Sequence, residues 1–122
     1  MKRQQFSLWI TAAAFALGGA VFTVPAQAAV DADAAQALAK KNDCMKCHAI
    51  SKDKKGPSYK KIAAKYKGKA DGQEKTIKNM TVASKVKLDD GTEEDHKIVK
   101  LDPAKPADMA AIKNLADWIL SQ

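Results

Sequence analysis

Cys44, Cys47 and His48 form the pattern C-x-x-C-H, the chemically most distinctive group of side chains in this 122-residue sequence. Two thiols one helical turn apart can each add to a vinyl group of a single porphyrin, which makes two thioether bonds. The adjacent histidine is then placed beneath the iron and can donate an imidazole nitrogen to it. The pattern therefore predicts one covalently attached haem c, with Cys44 and Cys47 as attachment points and His48 as an axial iron ligand.

Three other interpretations of these residues compete with haem attachment. A C-x-x-C pair is also typical of thioredoxin-like redox proteins, but those need a βαβ unit, and the sequence has no pattern of the required strands. The two cysteines, together with His48 and His96, could bind zinc, but Cys47 and His48 are adjacent and the paired spacing of zinc sites is absent. Chance occurrence is the third interpretation, and the rest of the chain argues against it.

The N-terminal segment has the features of a secretory signal peptide. Two basic residues precede an apolar run of 19 residues that begins at Phe6, and the small residues Ala26 and Ala28 follow at the positions that signal peptidase reads. We predict cleavage after Ala28, so that residues 1–28 are the signal peptide and residues 29–122 form one domain. An uncleaved anchor is the alternative, because the apolar run could just span a bilayer.

Apolar residues recur at helical spacing along the predicted domain. The clearest case is the C-terminal segment, where Met109, Ile112 and Leu115 lie on one face of a helix. No sustained helical period occurs between residues 81 and 105, and loops this long in a compact domain are usually functional or disordered. We predict an all-α fold with four or so short helices, which begin near residues 31–33, 57–59, 71–72 and 106–108.

The basic charge of the chain indicates the kind of partner it meets. The formal net charge is +7, and the predicted signal peptide contributes two of these charges. Residues 29–122 contain lysine but no arginine. Phosphate recognition usually uses arginine at some contacts, so nucleic acid is a poor candidate partner. The charge instead favours a negatively charged protein or membrane surface, and a solvated surface without a partner is the alternative.

Around the C-x-x-C-H motif, the sequence resembles the class I cytochromes c of the small bacterial type. The likeness covers nearly all of residues 29–122 and rests on an N-terminal helix, residues 44–50, the turn Gly56–Tyr59, residues 61–66, residues 77–79 and the ending 115–122. The resemblance implies that the first and last helices cross, which would bring Leu38 near Leu115 and Trp118. It also implies that the Pro57 carbonyl accepts a hydrogen bond from His48 and so orients it.

The chain departs from this family on the far side of the iron. The family places a methionine there, in a Pro- and Gly-rich loop near the chain end, and residues 99–104 of this chain contain no methionine. His96 is the remaining histidine and lies in the loop that should cover the iron, so we favour it as the distal ligand. Met80 is the next candidate, and Met109 follows, although its helical spacing is typical of core packing.

The resemblance implies a soluble electron carrier, not an enzyme, and we expect it to be a periplasmic monomer. Its partners would be redox proteins with acidic docking surfaces, because lysines surround the attachment motif (Lys40, Lys41, Lys46, Lys52, Lys54 and Lys55). Two histidine ligands would give a lower reduction potential than one histidine and one methionine. The alternative function is a haem-based gas-binding or sensor module whose sixth ligand is displaceable or absent.

Overall fold

The computed structural model describes residues 29–122, so the predicted signal peptide lies outside the described residues. The elements in chain order are α1 (Ala32–Lys41), α2 (Cys44–Cys47), α3 (Tyr59–Tyr66), α4 (Gly72–Thr81), β1 (Lys85–Lys87), β2 (Glu93–Asp95) and α5 (Pro106–Leu120). The predicted helical framework is confirmed, and four of the helices begin close to the expected residues. None of the helices in this range is both long and apolar enough to cross a membrane.

Helices α1, α3 and α5 begin where a polar side chain or a proline suits the first turn. The Asp31 carboxylate accepts a hydrogen bond from the Ala34 N–H at 2.9 Å, and the Ser58 hydroxyl accepts one from the Lys61 N–H at 3.2 Å. These bonds satisfy backbone donors that have no partner within the helix. Helix α5 begins instead with Pro106, whose missing N–H costs nothing at a first helical position.

The core forms where α1 crosses α5. Ala35 and Ala39 of α1 are 1% and 0% exposed, and their small side chains allow the two helices to approach closely. Leu38 packs against the core cluster that contains Leu115 and Trp118. The crossing of the first and last helices is therefore confirmed, and α3 and α4 pack on α5 beside it.

Residues 85–95 form a short antiparallel hairpin, which the sequence pattern does not indicate. Val86 of β1 lies opposite Glu94 of β2, and the chain turns through Gly91, whose φ of +85° is strain-free for glycine. Each strand has three residues, and β2 is exposed throughout, so the alternation of apolar and polar residues is limited to the single apolar residue Val86 and is too short to predict a strand. The all-α prediction holds for the framework and misses this hairpin.

A buried asparagine ties the end of α1 to the chain that follows the hairpin. Asn42 is 6% exposed, and its amide nitrogen donates to the Leu38 carbonyl at 2.9 Å. Its amide oxygen accepts from the Lys100 N–H at 2.8 Å, a contact between residues 58 positions apart in the sequence. The bond fixes the segment that places Val99 in the core.

Replacement of this asparagine, Asn42→Ala, should lower the free energy of unfolding by about 1–3 kcal/mol, because it removes a buried side chain and leaves the Lys100 N–H without its partner at a part-buried site. Denaturant unfolding followed by circular dichroism measures the change. Asn114→Ala is the matched control, since Asn114 also makes two hydrogen bonds to backbone groups, both of Asp31, but at an exposed site. An equal or larger loss in the control would contradict the role given to Asn42.

Candidate functional site

The two motif cysteines lie on α2, a single helical turn, and His48 follows it directly. Asp43 precedes the turn in a left-handed conformation, with φ of 61°, which lets the chain change direction between α1 and α2. The His48 N–H donates to the Cys44 carbonyl at 2.9 Å. Both thiols are half-buried, are not joined by a disulfide, and line the same cavity as the His48 side chain. Burial raises the pKa of the Cys44 thiol.

A backbone carbonyl sets the orientation of the His48 ring. His48 Nδ1 lies 2.6 Å from the Pro57 carbonyl oxygen. Because a carbonyl can only accept, Nδ1 carries the proton and donates, which leaves Nε2 with a free lone pair. A bond of this kind also raises the basicity of the imidazole as a metal ligand.

The loop between His48 and Pro57 leaves no room for a side chain beside the imidazole. A Cβ atom at Gly56 would lie 2.7 Å from His48 Cε1 and 3.0 Å from Nδ1. The Gly56 N–H donates to the Cys47 carbonyl at 2.8 Å, which closes the loop on α2. Asp53 holds the far end, because it pairs with the Lys61 ammonium group, an interaction that lowers the pKa of Asp53.

His96 approaches the same cavity from the opposite wall. It follows β2 directly, and its backbone N–H donates to the Ser84 carbonyl at 2.8 Å, so the hairpin holds it in place. Its Nδ1 atom is buried and has no hydrogen-bond partner among the described residues. Burial lowers the pKa of His96, and the nearby His48 lowers it further, while the Asn79 carbonyl at the end of α4 acts in the opposite direction.

The spacing of the two imidazoles suits one metal ion between them. The ring centres of His48 and His96 are 6.1 Å apart, and the ring planes meet at 69°. Two imidazoles that bind one ion from opposite sides, each through a nitrogen at about 2 Å, have ring centres roughly 6 Å apart. The histidines therefore fit an iron atom with one nitrogen ligand on each side.

The two methionine candidates occupy different places. Met80 lies in the last turn of α4, is 9% exposed and lines the cavity. Its carbonyl accepts from the Val99 N–H at 2.8 Å, which fastens this turn to the segment after the hairpin. Met109 packs against the core cluster from α5 and does not line the cavity. The structure thus brings His96 and Met80, but not Met109, to the cavity that holds His48.

The cavity has the size and lining of a cofactor site. Its volume is about 520 Å³, within the range of roughly 300–1,000 Å³ typical of small-molecule sites. Apolar side chains of the core form much of its wall, with the two thiols and two imidazoles as its distinctive polar groups. A flat apolar macrocycle with two reactive vinyl groups and an axially coordinated metal fits this donor set.

Sequence analysis missed the part that Tyr59 plays in this wall. Its ring stacks on the His48 ring, with centres 5.5 Å apart and planes at 22°. It also meets the edge of Trp118, with centres 5.2 Å apart. The sequence marks Tyr59 only as one residue of a helical apolar face, because its neighbour Trp118 is distant along the chain.

Three of the six lysines near the attachment motif form ion pairs or hydrogen bonds with other residues of the protein. Lys46 forms an ion pair on α2, Lys54 donates to a backbone carbonyl, and Lys55 pairs with Glu94 of the hairpin at 2.9 Å. Because Lys55 lies on the cysteine side and Glu94 on the His96 side, this pair connects the two walls of the cavity. The sequence pattern could not predict this ion pair, because its two residues are 39 positions apart.

Charge is distributed unevenly around the cavity. Residues 52–78 contain ten lysines and three acidic residues, whereas residues 89–95 contain five acidic residues and no basic residue. Lys65 of α3 and Lys87 of β1 line the cavity and are exposed. A charged partner therefore meets a mainly basic surface on the α3 and α4 side and an acidic one at the hairpin turn.

A sequence profile of the cytochrome c family matches residues 32–122. The chain belongs to the cytochrome c family. It is 37% identical over 98 residues to cytochrome c-552 of Nitrosomonas europaea, a match that covers 80% of this chain and 84% of the relative. It is also 34% identical over 84 residues to cytochrome c-551 of Azotobacter vinelandii, covering 69% of this chain and 92% of the relative.

Solved structures agree with the family and specify the class. The class 1 cytochrome MtoD from Sideroxydans lithotrophicus ES-1 superposes with a TM-score of 0.68 and 55% identity, covering 76% of this chain and 97% of that one. Cytochrome c552 of Nitrosomonas europaea superposes with a TM-score of 0.53 and 34% identity, covering 70% and 96%. The chain is therefore a class I c-type cytochrome with one covalently bound haem c, as the sequence predicted.

A methyl group at position 56 tests the orientation of the proximal imidazole. Gly56→Ala should displace the His48 ring, because the added Cβ would lie 2.7 Å from Cε1. We expect a smaller low-spin fraction in the visible spectrum of the haem protein, and a loss of about 1–3 kcal/mol in unfolding free energy from overpacking.

Gly68→Ala is the control for this substitution. Gly68 has a φ of +76°, and a Cβ added there would have no atom within 4 Å, so the change strains the backbone without touching the site. It should lower stability by about 1–2 kcal/mol and leave the spectrum unchanged. A low-spin spectrum that stays intact in Gly56→Ala would contradict the steric argument.

Proposed function

We propose that this cytochrome is a periplasmic electron carrier in which Cys44 and Cys47 hold the haem while His48 and His96 bind its iron from opposite sides. The spacing of the two imidazoles carries the proposal. Ring centres 6.1 Å apart leave room for one metal ion between the two imidazoles, which would then hold it from both sides.

The proximal side is prepared for iron by the loop that carries it. The Pro57 carbonyl holds His48 with its proton on Nδ1, so Nε2 is the nitrogen available to the metal. Gly56 lies so close to the His48 ring that the ring has little room to rotate. Because the loop closes through backbone hydrogen bonds, this ligand is held before any metal binds.

The distal side depends on the hairpin. Burial lowers the pKa of His96, which favours the neutral imidazole that a metal requires. The ion pair between Lys55 and Glu94 joins the hairpin to the proximal loop and supports the position of His96 two residues later. Exposed pairs contribute little individually, so the hairpin is held mainly by its backbone contacts with the segment around it.

An electron carrier needs an iron that changes charge without exchanging ligands. The haem supplies a one-electron ferrous and ferric couple. If His48 and His96 both held the iron, they would keep a substrate from binding to it, which favours electron transfer over catalysis. Two imidazole ligands also favour a lower reduction potential than an imidazole with a thioether.

A haem-based gas-binding or sensor module is the second candidate function, and the exposure of the hairpin favours it. Isolated two-stranded hairpins are marginally stable, and β2 is exposed at all three of its residues. A hairpin of this kind could move His96 away from the haem and let a gas molecule bind in its place. Carbon monoxide added to the ferrous protein separates the candidates: a prompt spectral shift supports the sensor, and an unchanged spectrum supports the carrier.

Removal of the distal imidazole tests the assignment of the iron ligands. His96→Ala should convert a six-coordinate low-spin spectrum to a high-spin one, and should allow carbon monoxide to bind promptly. The physical reason is that the substitution removes the imidazole whose ring centre lies 6.1 Å from that of His48. Visible and magnetic circular dichroism spectra of the ferric and ferrous forms measure the change.

Two methionine variants serve as controls for this experiment. Met80→Leu and Met109→Leu conserve volume and should leave the ligand spectrum as it is. If the spectra were unchanged by His96→Ala but altered by Met80→Leu, Met80 and not His96 would be the distal iron ligand. A response to Met109→Leu alone would contradict the cavity geometry.

The partner of this carrier is proposed to be a redox protein with an acidic docking surface. The support is the excess of lysine in residues 52–78, which includes Lys65 at the cavity wall. Opposite charges steer diffusional encounter more than they add to final affinity. The protein is also proposed to act as a soluble monomer after cleavage of residues 1–28 by signal peptidase, which the mass of the exported protein would test.

Charge steering predicts a salt-dependent rate of oxidation by an anionic small-molecule oxidant. Removing one charge about 10 Å away in water changes the interaction by about 0.4 kcal/mol, or roughly twofold in rate. Lys65→Gln should therefore slow the reaction about twofold at low salt. Lys113→Gln, on the exposed face of α5, removes the same charge away from the cavity and should have less effect. Equal effects, or rates indifferent to salt, would reject steering.

A further inference from the structure

The hydroxyl group of Tyr59 is buried without a partner. The residue is 2% exposed, and its oxygen has no hydrogen-bond partner within residues 29–122. Buried polar groups in folded proteins almost always have a partner, because an unpaired one loses its hydration without compensation. The missing partner is therefore expected to be something that binds next to this side chain.

The surroundings of the ring fix where that partner must be. One face of the Tyr59 ring stacks on His48, and the ring also packs against the edge of Trp118. These contacts prevent the ring from turning its oxygen toward solvent. Tyr59 lines the cavity together with Cys44, which packs against the same core cluster.

The hydroxyl is a hydrogen-bond donor at any ordinary pH. Burial raises the pKa of Tyr59 well above its usual range. The proton therefore stays on the oxygen and is available to an acceptor in the cavity.

We propose that the Tyr59 hydroxyl donates a hydrogen bond to the bound haem, at the edge attached to Cys44, and thereby raises the reduction potential. A donor withdraws electron density from the macrocycle and its thioether, which stabilises the more electron-rich ferrous state. This inference rests on haem attachment at Cys44, which is part of the proposed function. It adds a residue that sets the potential without binding the iron.

The test is Tyr59→Phe in the haem-loaded protein, since phenylalanine keeps the ring and removes only the oxygen. The ratio of unfolded to folded protein should rise about two- to tenfold at a fixed denaturant concentration, the effect of one net hydrogen bond. The ratio of ferric to ferrous protein at a fixed applied potential should rise as well. Spectroelectrochemical titration measures the second ratio.

Two results would overturn the proposal. Equal or greater stability with an unchanged redox ratio would mean that the hydroxyl has no partner. Lower stability with an unchanged redox ratio would mean that its partner is water or protein. Tyr66→Phe is the matched control for the loss of a hydroxyl at the cavity wall, because the Tyr66 hydroxyl has a protein partner, the Asn79 amide at 3.4 Å, and this variant should move the redox ratio less than Tyr59→Phe does.

A second variant locates the acceptor on the haem. In a Cys44→Ala background, which retains the Cys47 thioether, the redox effect of Tyr59→Phe should become smaller. An undiminished effect would overturn the assignment to the Cys44 edge. Failure of the proposed attachment is detected separately, since haem that leaves the denatured wild-type chain cannot be held by thioether bonds.

Discussion

The hydrogen bond from His48 Nδ1 to the Pro57 carbonyl is the interaction on which the rest of the site depends. It fixes the tautomer of the imidazole, and with it the nitrogen that faces the cavity. The bond exists only because the loop before Pro57 folds back on α2, which requires the absence of a side chain at Gly56. The stacking of Tyr59 on the free face of the ring completes the support.

His96, on the proposed distal side, is held in place in a different way from His48. His48 is held by a tight loop a few residues from the cysteines, whereas His96 comes from a hairpin more than forty positions away in the sequence. Its position depends on contacts between distant segments, such as the Lys55 and Glu94 pair. In the proposed arrangement, a local loop therefore holds one iron ligand, and a separate element holds the other.

The sequence predicted the features that are encoded locally. The C-x-x-C-H motif needs only one helical turn, and the α5 helix follows from the spacing of residues such as Ile112 and Leu115. The hairpin escaped prediction because its strands have only three residues each and Val86 is the single half-buried side chain among them. The partnerless hydroxyl of Tyr59 and the facing of His48 and His96 could not be predicted either, since both arise from packing between segments far apart in the chain.

The cavity is also a part of the hydrophobic core, because Met80, Val99, Leu115 and Ile119 belong to both. The cavity of about 520 Å³ is partly open, so without the haem these apolar side chains would face water, which is unfavourable. The whole free energy of unfolding of a small domain is about 5–15 kcal/mol. Because the haem is covalently attached, it stays with the unfolded chain, and its burial against these side chains contributes to the stability of the folded state as a core side chain does.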